Sequence, residues 1–386
     1  MHILIIAPEP FFAVRGTPLA VRELATAFLE FGHRVDILTY HLGEAVIAPG
    51  LRVYRNRCFS GRIKAVRPGF SLNKIVLDMA LFPRALLLIL KNRYDVVHCI
   101  EESAYFICWF RWLRRFLFFF DMDSDIPQQL IDAGKLKSRW AVMFARVLER
   151  IALAAADGVV TICPLFTKRV TALFTDKRVF QIEDLSATGE CQSVDRPENR
   201  TILYTGNFQD YQGVDILIEG FMKIQDRWPD MQLLLVGGEV GEIRALRERY
   251  PSDRITFAGK MPISELPRFI AMAKILVSPR RCGENTPFKL YTYLASGKPL
   301  LATDVLSHSQ IVANGKEAIL VEPTAEGIAA GLAKLLSDEA YARRIGTNAR
   351  KLFEARYSRK GYMEKVGRLL AYMEERVRRK RSHQPV

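Results

Sequence analysis

The 386-residue sequence predicts an α/β protein made of two Rossmann-like, doubly wound domains facing each other across a cleft. The chain opens with an unbroken apolar run, a helical period and a second apolar run, which is a βαβ unit. The same alternation lapses into a polar, aperiodic stretch at residues 183–200 (EDLSATGECQSVDRPENR) and then restarts. The length also exceeds what one hydrophobic core usually serves.

The first strand is HILIIA (residues 2–7), the first helix covers 17–31, and RVDILT (34–39) is the second strand. Strand-like runs at 96–99, 117–121 and 158–162 then alternate with helical segments. Fully apolar strands of this kind belong to a parallel sheet covered on both faces. The second half reads as strands at 201–204, 232–236, 255–257, 274–278, 300–303 and 318–321, with helices starting at 214, 240, 264 and 287 between them. Helical stretches at 325–337, 339–357 and 360–380 follow. We therefore expect an N-terminal domain over residues 1–190, a C-terminal domain over 191–358, and a final helix with a basic tail over 359–386. Ligands of such folds bind at the carboxyl ends of the strands.

Residues 278–304 (SPRRCGENTPFKLYTYLASGKPLLATD) carry the sharpest local signal. A buried strand ends at Ser278 and a polar loop follows. Thr286 is a suitable N-cap with Pro287 at the first helical position, while Gly297 and Pro299 supply the stop. The free N–H groups and positive dipole end of this helix suit an anion, with Glu284, Asn285, Phe288 and Lys289 within a turn of that point. The plain alternative is an ordinary capped helix.

The formal charge of +14 implies an anionic partner: nucleic acid, lipid headgroups or phosphorylated metabolites. Residues 51–74 hold Arg52, Arg55, Arg57, Arg62, Lys64, Arg67 and Lys74 with no acid, and Arg111, Arg114 and Arg115 sit among Trp109, Phe110, Trp112 and Phe116. Both stretches fit an anionic membrane surface, and both fit a solvated face. A third basic cluster, residues 376–381, ends the last helix. The apolar runs near 79–90 and 105–120 are broken by Pro83, Arg84 and three arginines, so membrane contact is expected to be peripheral. With no secretory leader at residues 1–7 and six dispersed cysteines lacking C-x-x-C spacing, a cytoplasmic, reducing location is expected.

With these segments placed, the chain resembles GT-B glycosyltransferases of the retaining family 4, closest to a subgroup that builds bacterial polysaccharides. The resemblance rests on IIAPEPFFAVRGTPLAVRELATAFLEFGHRVDILTYHLGE, DMDSDIPQQL, YTGNFQDYQGVDILIEGF, LLLVGG, ITFAGKMPISELPRFIAMAKILVSP and GENTPFKLYTYLASGKPLLATD, in family order and spacing. It implies transfer of a sugar from a nucleotide-diphosphate donor, UDP- or GDP-linked, to a saccharide or lipid-linked acceptor. Retention of configuration and independence of metal or other cofactor are implied as well.

Residue by residue, the resemblance implies that Glu284 is the glutamate facing the donor sugar. Eight positions on, where family members carry a second glutamate for the ribose, stands Thr292. The two cations that usually neutralise the diphosphate read as Asn207 and Gln212, beside Gly206. Lys289 is the candidate replacement, with Arg280 or Arg281 behind it. Gly238 and Met261 are expected near the base, and Asn285, Thr286, Pro287 and Phe288 along the diphosphate loop. In the first domain Gly16 is expected to let backbone approach the donor, with Arg15 beside it. Asp123 holds sugar hydroxyls, and His98, Glu101 and Glu102 line the acceptor side.

The closely spaced Asp121, Asp123 and Asp125 also invite a metal reading, but Ile126 and Pro127 stand where an EF-hand loop needs glycine and an extended continuation. A nucleotide-sugar epimerase on the same scaffold and a non-catalytic sugar-binding partner protein remain as rivals. No nucleic-acid-binding module is recognisable.

Overall fold

In a computed structural model of the chain, residues 1–13, 16–56, 63–64, 66, 71–112, 116–132, 134–190 and 200–382 are described. The chain divides into two compact units, Met1–Glu183 with Met363–Val386, and Asp184–Tyr362.

The first unit holds seven parallel strands: β1 (His2–Ala7), β2 (Arg34–Tyr40), β3 (Leu51–Asn56), β4 (Val96–Ile100), β5 (Leu117–Met122), β6 (Gly158–Thr161) and β7 (Val179–Gln181), in the order β3-β2-β1-β4-β5-β6-β7. Its helices are α1 (Gly16–Glu30), α2 (Leu72–Lys91), α3 (Ser103–Ile107), α4 (Ile126–Asp132), α5 (Arg139–Ala155) and α6 (Pro164–Leu173). Alternation along each strand sorts the core. Leu4, Leu38, Val97 and Phe118 face α2, α3 and α5 in one continuous cluster. On the opposite face, the rings of Phe28 from α1 and Phe119 from β5 both approach that of His98. Gly158 on β6 is closed in by Phe119, where even a Cβ would clash at 2.5 Å.

The second unit has six parallel strands: β8 (Thr201–Gly206), β9 (Gln232–Gly237), β10 (Ile255–Gly259), β11 (Ala273–Ser278), β12 (Leu300–Thr303) and β13 (Ile319–Val321), ordered β10-β9-β8-β11-β12-β13. The helices α7 (Val214–Ile224), α8 (Val240–Arg249), α9 (Leu266–Met272), α10 (Phe288–Ser296), α11 (Leu306–Ser309), α12 (Ala325–Ser337) and α13 (Glu339–Arg356) cover its two faces. A last helix, α14 (Arg359–Ser382), belongs to the first unit from Met363 onward.

Each sheet reverses its winding once, between β1 and β4 in the first unit and between β8 and β11 in the second. In open α/β sheets such a switch point leaves a crevice beyond the strand ends. Loops carrying most of the predicted site residues leave these strands, while Asp123 follows β5, Gly238 follows β9 and Met261 follows β10.

Several expectations are corrected. The basic stretch 51–74 contains an edge strand, β3, which pairs in parallel with β2. Within it Arg55 donates to the carbonyls of Leu42 and Glu44, and Lys74 turns inward to Glu102. Arg57, Arg62 and Arg67 lie outside the described residues, as do Arg114 and Arg115. Helix α2 runs through Pro83, whose ring is exposed. The basic end of α14 is held by protein partners: Lys380 donates to the Phe116 carbonyl at 3.0 Å, Arg381 to Asp95 at 2.6 Å and Arg376 to Asp157 at 3.5 Å. Among the described residues no helix is long and apolar enough to cross a membrane.

Candidate functional site

In the second unit the loop after β8 and the loop after β11 meet around Lys289. Its Nζ donates to Gln212 Oε1 at 3.2 Å and stands 3.8 Å above the centre of the Tyr204 ring. The Tyr204 hydroxyl donates to the Asn207 carbonyl at 2.5 Å and lies 3.4 Å from Gln212 Oε1. Gly206 makes this approach possible. A Cβ there would lie 2.7 Å from Lys289 Nζ, and its φ of 143° is one that side chains rarely adopt. Gly238 is closed in the same way by the Phe208 ring, with φ of 78°.

Arg280 is the second cation, almost fully buried at 6% exposure. Nη1 donates to the Asn285 carbonyl at 2.7 Å, the guanidinium lies 5.1 Å from the Tyr211 ring centre, and Nε has no hydrogen-bond partner. Neither Arg280 nor Lys289 pairs with a carboxylate among the described residues. Removal from water, with the Arg280 charge adding to it, holds the Lys289 ammonium well below the usual lysine range. Although Lys289 as a whole is half-buried, its amine end is enclosed by these groups. His308, wedged between Ser278 Oγ at 2.8 Å and the Thr303 carbonyl, is pushed down to about 3 by burial, with the Arg280 and Lys289 charges contributing. Unneutralised positive charge in a dry site is a strong anion attractant.

The start of α10 departs from expectation. Thr286 does not cap it: its hydroxyl accepts from Gln310 Nε2 at 3.2 Å, and Pro287, extended at ψ 132°, is the cap residue with no side-chain bond. The reason is competition: Gln310 Nε2 donates to the Thr286 hydroxyl and also to the Glu284 carbonyl at 2.7 Å. Phe288 and Lys289 therefore open the helix with no side chain capping it. Thr292 is likewise corrected as a ligand-facing residue. It is 1% exposed, and its hydroxyl accepts the Ala187 N–H at 2.9 Å. Glu284 and Asn285 are half-buried on the loop, and Met261 is partly exposed after β10.

In the first unit Gly16 opens α1, while Arg15 lies outside the described residues. Glu101 and Glu102 follow β4 directly, Glu101 in the left-handed region at φ 48°, a strained choice for this residue type. Lys74 Nζ lies 2.6 Å from Glu102 and 3.7 Å from Glu101. Asp78 accepts from the Tyr40 hydroxyl nearby. Burial pushes Glu102 up to about 8; Lys74 opposes this, and the Glu101 and Asp78 charges add to it. Burial also raises Asp78 to about 6. Three carboxylates facing one ammonium cannot all ionise freely.

His98 is corrected as an acceptor-side residue. It lies in mid-strand, fully buried, bonded to Asp121 at 2.7 Å. Asp125 caps α4 by accepting from Gln128 N–H at 2.8 Å and pairs with Arg146 and Arg169. Asp123 between them is buried. All three aspartates are thus engaged, Asp121 by His98 and Asp125 by Arg146 and Arg169. Sequence reasoning missed the Tyr40–Lys74–Asp78 surroundings of Glu102, and Tyr204 under Lys289. The only signal for Tyr204 was its place near the end of a strand at the switch point.

The family model described as Glycosyl transferases group 1 matches residues 191–352, and that of the Glycosyl transferase 4-like domain matches residues 15–182. Over 146 residues the chain is 27% identical to a phosphatidyl-myo-inositol mannosyltransferase of Mycolicibacterium smegmatis, covering 37% of each chain. Over 163 residues it is 28% identical to the mannosylfructose-phosphate synthase of Agrobacterium fabrum, covering 39% of this chain and 35% of that one. The matched part is well under half the length of either relative. Among solved structures, sucrose-phosphate synthase from Thermosynechococcus elongatus superposes with a TM-score of 0.79 at 20% identity, covering 97% of this chain and 99% of that one. Anabaena HepE in complex with UDP-glucose superposes at 0.71 and 13%, covering 96% and 100%. Two family models laid end to end over two parallel sheets, each sheet with its switch point, establish that the chain belongs to the GT-B glycosyltransferases.

Proposed function

We propose that this protein transfers a hexosyl group from a UDP- or GDP-linked sugar to a saccharide or lipid-linked saccharide, with retention at the anomeric carbon. The observation that carries the reading is the pair of buried cations, Lys289 and Arg280, without a carboxylate partner beside the uncapped start of α10. Transfer breaks the bond between the anomeric carbon and the β-phosphate oxygen, whose electron pair stays with the diphosphate, while the acceptor hydroxyl oxygen bonds to the anomeric carbon and its proton passes to the departing diphosphate. Positive charge held in position once the diphosphate is bound stabilises that developing charge without reorganisation. Lys289, Arg280 and the first amides of α10 take this role, replacing the cations absent at Asn207 and Gln212. Glu284 faces the donor sugar, Asp123 positions hydroxyl groups, and Glu101 and Glu102 serve the acceptor.

No metal takes part in this scheme. Asp121 and Asp125 are held by His98, Arg146 and Arg169, and leave no open carboxylate pair for a hard cation. We place the protein in the cytoplasm, at the inner face of the membrane when its acceptor is lipid-linked. Incubation with UDP- and GDP-sugars and candidate acceptors tests the reading, with the product's anomeric configuration read by NMR. Metal-independent release of nucleotide with a new retained linkage is expected. A flat thermal-shift screen against UDP, GDP and their sugars would overturn it.

A further inference from the structure

An amphipathic helix on a sheet normally turns its apolar stripe toward the core, and α5 does the reverse. Trp140, Met143, Phe144 and Val147, spaced i, i+3, i+4, i+7, all point to solvent, with Trp140 77% and Phe144 64% exposed. The inward side is left to Glu149, Ala152 and Leu153. Helix α2 is apolar on both sides. Leu72, Ile75, Val76 and Met79 are exposed at the same spacing, while Leu77, Leu81 and Leu88 face the core. Between the two helices lie α3 and the 3-10 turn Cys108–Phe110, with Trp109 and Trp112 exposed. Neighbouring members of this layer touch, and all pack on one face of the first sheet. Of twenty large hydrophobic side chains exposed among the described residues, thirteen belong to this layer. Scattered exposed apolar residues are normal, but concentration on one face is not.

The charges of the layer are sorted as well. Its exposed ionisable side chains are Arg84, Lys91, Arg139 and Arg150, joined by Lys135 and Lys137 in the loop that leads into α5, and none of them pairs with a carboxylate among the described residues. The acids on the same elements turn inward: Asp78 to Tyr40, Glu102 to Lys74 and Glu149 to Arg146. A surface spread over several helices, apolar and aromatic and with exposed charges of one positive sign, matches the interface of an anionic bilayer.

We infer that the α2–α3–α5 layer of the first unit docks on an anionic lipid surface, with Trp140, Met143, Phe144 and Val147 entering the interface. This deepens the reading above by naming the surface that would meet a lipid-linked acceptor. Vesicle binding without any substrate tests it apart from turnover.

The full chain is mixed with vesicles of phosphatidylglycerol and phosphatidylcholine, or of phosphatidylcholine alone, and followed by co-sedimentation and tryptophan emission. Three of the four tryptophans of the sequence, Trp109, Trp112 and Trp140, sit on this layer, so docking blue-shifts the emission. Binding is expected to anionic vesicles, to weaken as salt rises, and to fall at least about tenfold in Trp140→Glu/Phe144→Glu. A second variant, Lys135→Glu/Lys137→Glu/Arg139→Glu, is expected to lose binding to anionic vesicles with its thermal midpoint unchanged. The inference is overturned if both variants bind like the parent, or if neutral and anionic vesicles bind equally. It is also overturned if the chain self-associates without lipid and the double variant abolishes that, which would make the occupant a second copy.

Discussion

Lys289 and Gln212, 77 positions apart in the chain, meet with the lysine amine 3.2 Å from the glutamine carbonyl oxygen. The contact places the positive charge from the start of α10 directly over the loop after β8. Its neutral partner does nothing to discharge it, and Arg280 lies close enough to raise the cost of protonation.

Lys289→Ala removes the more accessible of the two charges. Losing one preorganised electrostatic contact at a developing anion costs about a hundredfold or more in turnover. The expected result is that kcat falls by that order while KM for the acceptor stays within about twofold, since ground-state acceptor contacts are untouched. Steady-state kinetics against both substrates checks this. An unchanged kcat would remove Lys289 from the mechanism.

Nucleotide binding is expected to take up a proton. Empty, the Lys289 amine is held well below 10.5 by burial and by Arg280. A bound diphosphate supplies the missing counter-charge and raises it. Between the empty and bound values the complex binds more protons than the free protein, so affinity falls as pH rises through that window. Calorimetry in buffers of different ionisation enthalpy measures the uptake. Lys289→Arg, charged throughout, is expected to abolish the uptake.

Much of the fold is legible in the sequence because parallel strands buried on both faces read as unbroken apolar runs, as in HILIIA and LLLVG. Gly297 is equally legible, since only the left-handed cap at φ 70° explains a glycine there. What escapes are choices made by distant partners. Thr286 is a good cap by composition, yet Gln310, 24 residues away, takes its hydroxyl. Lys74 belongs to a basic run, but Glu101 and Glu102 draw it inward. The period of Trp140, Met143, Phe144 and Val147 is the same whether the stripe faces core or solvent. Only packing decides its direction.

Gly206→Ala places a methyl group 2.7 Å from Lys289 Nζ and 3.1 Å from the Tyr204 hydroxyl, at a φ costly for alanine. The flexible end of the lysine must yield. A modest stability loss of about 1–3 kcal/mol is expected, together with a disproportionate weakening of nucleotide binding. Thermal unfolding with and without UDP or GDP separates the two. Equal ligand-induced shifts in parent and variant would show that the amine's position is immaterial.

Asp125→Ala leaves Arg146 and Arg169 facing each other without their shared carboxylate and strips α4 of its cap. Removing one partner of a buried ion pair destabilises by about 3–5 kcal/mol, and a lost cap by about 1 kcal/mol. Denaturant unfolding is expected to show a loss in the lower part of that combined range, because the arginines are partly exposed and rehydrate. Asp125→Asn, which keeps the cap acceptor, is expected to lose less.

The cluster after β4 makes stability pH-dependent in a defined direction. Glu102 titrates near 8 in the folded protein against an ordinary 4.5, and Asp78 near 6 against 3.8, burial being the main cause for both. Lys74 stays charged throughout this range, so it does not alter the sign. Across pH 4.5 to about 8 the folded state therefore holds more protons than the unfolded one, and stability declines as pH rises, by at most about 1.4 kcal/mol per unit for each group fully in its window. Glu102→Gln keeps shape and hydrogen-bonding capacity without the titration, and Glu101 remains to pair with Lys74. Its stability is expected to be flatter than the parent's from pH 6 to 8 and equal or higher at pH 8, measured by urea unfolding at each pH. A parent whose stability climbs over that interval would place the proton elsewhere in the cluster and leave Glu102 ionised beside Lys74.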